Sequence, residues 1–114
     1  MALTILIVLN LLLLPPQGQP GNPALTAAGR RVYETRKCAS CHMVAGEGTL
    51  RFKLDGVATR LSDSDLRRWL TDAATMERAL PQQPAVRMSE WLKMNRKISD
   101  VDLNALVAYL ATLK

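Results

Sequence analysis

Aromatic residues are scarce in this chain of 114 residues, which contains one Phe, two Tyr and two Trp. A chain of this length is enough for one domain with its own core. With so few large rings, that core must be filled by Leu, Val, Ala and Met, or by an apolar group that the sequence does not encode.

Thiol and imidazole side chains are also few, because the chain has two Cys and one His. All three fall in one pentapeptide, Cys38-Ala-Ser-Cys41-His42. A structural zinc site needs four ligands, so this set is one short. There is no spare His, no further thiol and no cluster of carboxylates, so we expect that the protein is not an enzyme.

Long runs of one charge are missing, although the net charge is +5 and the pI is near 9.7. The basic residues are scattered and not interleaved with aromatic rings, so we expect no nucleic-acid partner. Two uses of the charge stay open. One is a positive face that steers an acidic protein partner, and the other is simply a solvated surface.

The chain begins with an apolar run, residues 1–14, which is stopped by Pro15-Pro16. A bilayer span needs about 20 apolar residues, so the run is too short to cross a membrane but suits a secretory signal peptide. It has no basic residue before it, so retention as a short N-terminal anchor is the alternative.

We expect export to the periplasm, with cleavage within residues 15–23, a stretch rich in Pro, Gly, Gln and Asn. This divides the chain into a leader or anchor with its linker, residues 1–23, and one domain, residues 24–114. No Cys lies directly after the apolar run, so a lipid anchor is not supported.

The pentapeptide at residues 38–42 carries the strongest chemical signal. Residues three apart lie on one face of a helical turn, so the thiols of Cys38 and Cys41 can reach one flat group together. This spacing, with His42 directly after it, is typical of c-type haem attachment, in which the thiols form thioethers and the imidazole binds iron. A redox disulfide or another metal site is the alternative, but no βαβ pattern surrounds the motif.

Three helices are predicted. Thr26 is the expected cap of the first, which runs to about Lys37. The second starts at the Ser62–Asp65 capping pattern, in which Asp replaces Glu, and runs to about Ala79; the third starts at Ser99–Asp102 and runs nearly to the C-terminus. No convincing strand pattern is present, so an all-α fold is expected, with loops at residues 43–59 and 84–97. Phe52, Leu54 and Trp69 are candidates for the wall of a haem pocket, and ordinary core positions are the alternative.

A second axial ligand must come from a side chain other than His, because His42 is the sole histidine. Met is the remaining soft donor, and His/Met ligation raises the haem potential. Met1 lies in the leader, Met43 is too close to His42, and Met76 falls on a helical face as a core residue would. Met88 and Met94, on the segment before the last helix, stay as the candidates.

The motif, the Met segment and the final Leu106-Val-Ala-Tyr-Leu110 together resemble class I cytochromes c, over roughly residues 25–114. The resemblance implies a cytochrome c fold of three main helices and loops wrapped around one covalently attached haem. Gly29 and Tyr33 resemble the residues of the family's first helix that cross the last helix at Leu106 and Tyr109.

The resemblance also bears on the axial ligands. Pro84-Ala-Val-Arg-Met88 is similar to the Pro-x-x-x-Met that presents the ligand in mitochondrial-type members. The resemblance therefore implies iron ligation by His42 and Met88, with Met94 as the alternative. Phe52 lies near the position of a family Pro whose carbonyl accepts the ring N–H of the ligand histidine.

The resemblance implies electron transfer by a single haem c, with redox proteins that have acidic docking surfaces as partners. The alternative is a haem c subunit of a larger membrane, dehydrogenase, respiratory or photosynthetic complex. A ligand-sensing cytochrome with an open sixth site is the third reading. Its four-helix form carries the motif near the C-terminus, whereas here the motif lies in the first half of the chain.

Overall fold

The computed structural model describes residues 21–114, which form a mostly helical domain with six α-helices, one 3₁₀ turn and a small sheet. The helices are α1 (Pro23–Thr35), α2 (Val57–Arg60), α3 (Asp63–Thr71), α4 (Ala73–Arg78), α5 (Met88–Met94) and α6 (Asp100–Leu110). The 3₁₀ turn is Cys38–Ser40, and the strands are β1 (His42–Val44), β2 (Glu47–Gly48) and β3 (Phe52–Lys53). The predicted helical character is confirmed, but three helices with no strands was too simple a description.

The first helix starts earlier than predicted, because its cap is Asn22 rather than Thr26. The Asn22 side-chain oxygen accepts hydrogen bonds from the amides of Ala24 (3.0 Å) and Leu25 (3.3 Å). Pro23 occupies the first helical position, where its missing N–H costs nothing. The helix ends before Lys37, whose left-handed backbone (φ 57°) cannot continue it.

The predicted helix from Ser62 to Ala79 is two helices. Its start is confirmed, since the Ser62 hydroxyl accepts a hydrogen bond from the Asp65 amide at 3.2 Å. The chain then breaks at Asp72 (φ −143°, ψ 53°), which separates α3 from α4. Asp is a poor residue for a helix interior, because its short polar side chain competes with the backbone hydrogen bonds.

Two predicted loops also contain regular structure. Across residues 42–53, β1 pairs antiparallel with β2 and parallel with β3, in the order β2-β1-β3, so most of this sheet falls in the predicted loop at residues 43–59. Strands of two or three residues are too short to show an alternating pattern. Within residues 84–97, the seven residues of α5 form a helix that lacks a side-chain cap at Arg87. Its first turn is stabilised instead by hydrogen bonds from Ser89 to Glu77, 12 residues earlier, and local sequence rules do not detect such a contact.

The core forms where α6 crosses α1. The buried apolar residues of α6 pack with Tyr33 and with residues of α2 and α3: Leu103, Leu106, Val107 and Leu110 against Val57, Leu66 and Leu70. The expected close crossing at Gly29 is found. A Cβ at Gly29 would overlap the Ala105 carbonyl and lie 2.7 Å from Tyr109 Cβ. Only a residue without a side chain lets the two backbones approach this closely.

Most of the predicted leader and linker, residues 1–23, lies outside the described residues, apart from residues 21–23. Within residues 21–114, none of the helices is both long and apolar enough to cross a membrane.

The crossing gives a first prediction. Gly29→Ala should destabilise the protein by about 1–3 kcal/mol, the usual cost of overpacking, because the new methyl group meets the Ala105 backbone. An ordinary helical Gly→Ala change would instead stabilise by about 0.5–1 kcal/mol. Denaturant unfolding of the haem-loaded protein measures the difference. The control is Ala27→Gly on the exposed face of α1, with an expected cost of about 0.5–1 kcal/mol. A Gly29→Ala variant as stable as the natural protein would contradict the close crossing.

Candidate functional site

The site is a mostly apolar cavity of about 410 Å³ between the α1–α6 core and the α4–α5 segment. It brings together all five predicted site residues, Cys38, Cys41, His42, Met88 and Met94. The three predicted wall residues are also present. The rest of the lining comes from residues scattered along the chain: Tyr33, Lys37, Ser40, Val57, Leu61, Leu66, Leu70, Glu77, Leu80, Pro84, Val86, Arg87, Glu90, Trp91, Leu106 and Leu110.

The two thiols are presented by the 3₁₀ turn that follows α1. The turn starts after Lys37 and is closed by the Cys41 amide, which donates to the Cys38 carbonyl at 3.1 Å. Side chains at i and i+3 eclipse each other in a 3₁₀ turn, so Cys38 and Cys41 lie on the same side. Both are free and half-buried. The turn is 3₁₀ rather than the predicted α-helical turn, and this tighter geometry also brings the two thiols to one side.

The chemistry of the thiols does not favour the alternatives to haem attachment. Burial raises the pKa of Cys38 to about 11, so the thiol stays protonated. Redox-active Cys-x-x-Cys pairs need the opposite shift, because the thiolate is the nucleophile. Across residues 21–114, no group of three or more His, Cys, Asp and Glu side chains converges as a metal site.

His42 is oriented by a main-chain acceptor. It lies in β1 directly opposite Phe52 of β3, and its Nδ1 is 3.1 Å from the Phe52 carbonyl oxygen. A carbonyl can only accept, so Nδ1 carries the proton and Nε2 has a free lone pair. Burial also lowers the pKa of His42, which favours the neutral form that binds metals. Phe52 therefore supplies, through its backbone, the acceptor for the His42 ring that the resemblance predicts from a Pro carbonyl.

The two candidate methionines differ in their surroundings. Met88 opens α5, is half-buried and packs against the hydrophobic core. Met94 closes α5 at the cavity edge with 78% of its surface exposed. Met43 and Met76, which are not predicted as ligands, are not part of the cavity lining within residues 21–114.

Tyr33 supplies a buried hydroxyl that the described residues leave without a hydrogen-bond partner. Its ring lines the cavity and lies 5.5 Å from the Tyr109 ring, and burial raises its pKa to about 12. A buried hydroxyl without a partner is costly, so its position favours a cavity occupant that offers a hydrogen-bond acceptor.

These features together fit a haem. The walls are apolar and include several rings, the thiols lie on one side, and one imidazole and two thioethers, Met88 and Met94, offer free lone pairs. The unpartnered Tyr33 hydroxyl is consistent with a group that has both a large apolar body and polar edges.

Sequence reasoning missed two residues near the cavity. Glu77 is buried and holds the start of α5 through Ser89, and Arg36 donates to the Arg96 carbonyl beyond its end. A signal for Glu77 was available. Leu66, Leu70 and Ala73 form an apolar stripe at helical spacing, and Glu77 continues it. A charged side chain on a buried apolar face needs a hydrogen-bond or ion-pair partner, so its position on the stripe predicts one.

Comparison with known proteins also indicates a haem protein. The chain is similar to cytochrome c oxidase subunit 2 of Alkalihalophilus pseudofirmus, with 29% identity over 101 residues. That alignment covers 79% of this chain but 26% of the relative, so the chain spans about a quarter of the relative's length. No solved structure matches. The family model described as cytochrome c matches residues 26–114, essentially the whole described domain. With that match, and with a cavity built from its thiols and imidazole, this chain belongs to the cytochrome c family.

Proposed function

We propose that the chain carries one electron at a time on a single haem c attached to Cys38 and Cys41, with His42 and Met88 as axial ligands. Haem-based electron transfer is the function of the family. One observation supports the assignment of these four residues to the haem. Two thiols, an imidazole with a free Nε2 and a half-buried thioether all line one apolar cavity.

When bound, the haem would supply the one-electron redox couple. The protein residues would set its properties. The Phe52 carbonyl keeps His42 in the tautomer with a free Nε2 and raises its basicity as a ligand. The apolar wall excludes water, and a thioether opposite an imidazole raises the potential. With both axial positions filled by the protein, we propose that no substrate is turned over at the iron.

Met88 is preferred to Met94 because of its burial. A ligand to a buried iron must be held inside the cavity, and Met88 packs against the core whereas Met94 is largely solvent-exposed. Met88 also follows Pro84 at the spacing that the family uses.

The cavity edge suggests the kind of partner. Leu80, Val86 and Met94 are exposed apolar residues around it, and Lys37 and Arg87 add positive charge. An apolar patch with cations suits brief docking of an acidic redox protein through a small interface.

A second candidate function is supported by the similarity to an oxidase subunit. In that case the same haem would serve as an electron-transfer subunit of a larger membrane complex. The difference is the partner, which would then stay bound rather than dock briefly.

We further propose that the protein is exported to the periplasm, since residues 1–14 resemble the core of a signal peptide. Retention of this segment as a short membrane anchor would suit the subunit alternative.

The axial ligand gives the second prediction. Met88→Ala should abolish the methionine-to-iron absorption band near the red end of the spectrum, lower the potential and allow carbon monoxide to bind the reduced protein quickly and completely. Met94→Ala, the matched control on the same helix, should keep the band and bind carbon monoxide slowly. If only the Met94 variant lost the band, the assignment to Met88 would be wrong.

The partner gives the third prediction. Neutralising two charges at the cavity edge, Lys37→Gln with Arg87→Gln, should slow association with an acidic redox protein by about tenfold at low salt and reduce its salt dependence. Stopped-flow electron transfer measures this. Arg60→Gln with Arg68→Gln removes the same charge from exposed residues that do not line the cavity, and should change the rate less. Equal effects of the two pairs would show that net charge alone matters.

A further inference from the structure

Glu77 is the one charged side chain buried in the described part of the chain, with 3% of its surface exposed. It lies on α4, and it lines the same cavity as the thiols and His42. Removing a carboxylate from water is costly unless hydrogen bonds compensate for the lost hydration. Its position in an otherwise apolar wall therefore needs a structural reason.

Its hydrogen bonds are directed at a single residue of another helix. Glu77 Oε1 accepts from the Ser89 amide at 2.8 Å, and Oε2 accepts from the Ser89 hydroxyl at 2.6 Å. In addition, the Gln83 side chain donates to the Glu77 main-chain carbonyl at 2.8 Å. Bonds to an ionised acceptor are among the stronger ones in proteins. Both oxygens of the carboxylate are therefore used to hold the chain beyond α4.

Ser89 is the residue next to Met88, in the first turn of α5. Arg87, which precedes that turn, gives it no side-chain cap, so the Glu77 carboxylate takes the place of a local cap from outside the helix. Fixing both the amide and the hydroxyl of Ser89 leaves the adjacent Met88 little freedom to move.

The start of α5 needs a fixing contact because the chain that connects it to α4 is irregular. Residues 79–87 join α4 to α5 with no helix or strand, and such a segment would otherwise be free to open. The other end of α5 has its own anchor. The Arg36 guanidinium donates to the Arg96 carbonyl and lies 5.5 Å from the Trp91 ring centroid. Of the two anchors, the one at Glu77 is adjacent to the thioether.

We propose that Glu77 is a positioning residue for the axial thioether: its buried carboxylate holds Ser89 so that Met88 stays in the cavity. This inference rests on the proposed function, in which Met88 is a ligand of the haem iron. In this role Glu77 would not be a ligand; it would act through Ser89 on the rate at which the Met88 segment opens.

Glu77→Gln in the haem-loaded protein tests this. The amide keeps the volume but loses the charge and one acceptor. The Ser89 amide should exchange its hydrogen about 10- to 100-fold faster, and carbon monoxide should bind the reduced protein faster by a similar factor. Glu47→Gln, on an exposed residue of β2, makes the same charge change and should alter neither rate.

Ser89→Ala provides a second variant if Glu77→Gln folds poorly. It removes the 2.6 Å hydrogen bond and leaves the carboxylate and the Ser89-position amide in place. Carbon monoxide binding should again be faster. Because the two residues act through one contact, the double variant should bind no more than about twofold faster than Glu77→Gln alone. Effects that multiply in full would contradict a shared role.

The failure of this proposal can be told apart from the failure of the proposed function. If Met88→Ala removes the methionine-to-iron band but Glu77→Gln changes neither the Ser89 exchange nor the carbon monoxide rate, Glu77 is not a positioning residue, and the ligand assignment stands. If the natural protein lacks the methionine-to-iron band, or if the Met88→Ala variant keeps it, the ligand assignment fails. The role proposed for Glu77 then fails with it.

Discussion

The hydrogen bond between the His42 ring and the Phe52 carbonyl determines what the cavity can bind. It places the proton on Nδ1 and leaves Nε2 free, and it exists because β1 and β3 pair in parallel at these two residues. That pairing in turn depends on the 3₁₀ turn that delivers the chain from α1 into β1. The turn is located by the crossing of α1 and α6 at Gly29, where no side chain fits. The site is thus supported by a series of backbone contacts rather than by side chains alone.

The opposite side of the cavity is organised differently. The segment that carries Met88 is joined to α4 by irregular chain and is held by two polar anchors, Glu77 at its start and Arg36 at its end. This division suits the proposed role. A firmly held imidazole and an anchored thioether would keep the iron closed to other ligands, which favours electron transfer over oxygen chemistry. The apolar wall between them lowers the local dielectric, so each polar contact in the cavity matters more than it would in water.

Several features that depend on neighbouring residues were predictable from the sequence, although the cap of α1 was predicted at Thr26 and is Asn22. The spacing of Cys38, Cys41 and His42 and the capping patterns at Ser62 and Ser99 are local signals, whereas the close approach at Gly29 involves the distant α6 and was implied by the family resemblance. The structure brings Cys38, Cys41 and His42 to one cavity and contains both caps. The helix break at Asp72 has only a weak local signal, a single Asp within an otherwise helical pattern.

Features that depend on distant contacts were not predictable. The strands of two and three residues exist only through their pairing, and α5 begins where a carboxylate 12 residues earlier caps it. The acceptor for His42 was expected to depend on a Pro, yet any residue with its carbonyl in register can serve, as Phe52 does. The choice between Met88 and Met94 likewise depends on burial, which sequence spacing does not give.

The covalent attachment of haem is most directly tested by intact mass. The full chain should be expressed together with a cytochrome c maturation system and then treated with a thiol-alkylating reagent under denaturing conditions. The account predicts a coloured protein whose mass is increased by one haem and in which neither Cys38 nor Cys41 is alkylated. A colourless protein with both thiols alkylated would contradict it.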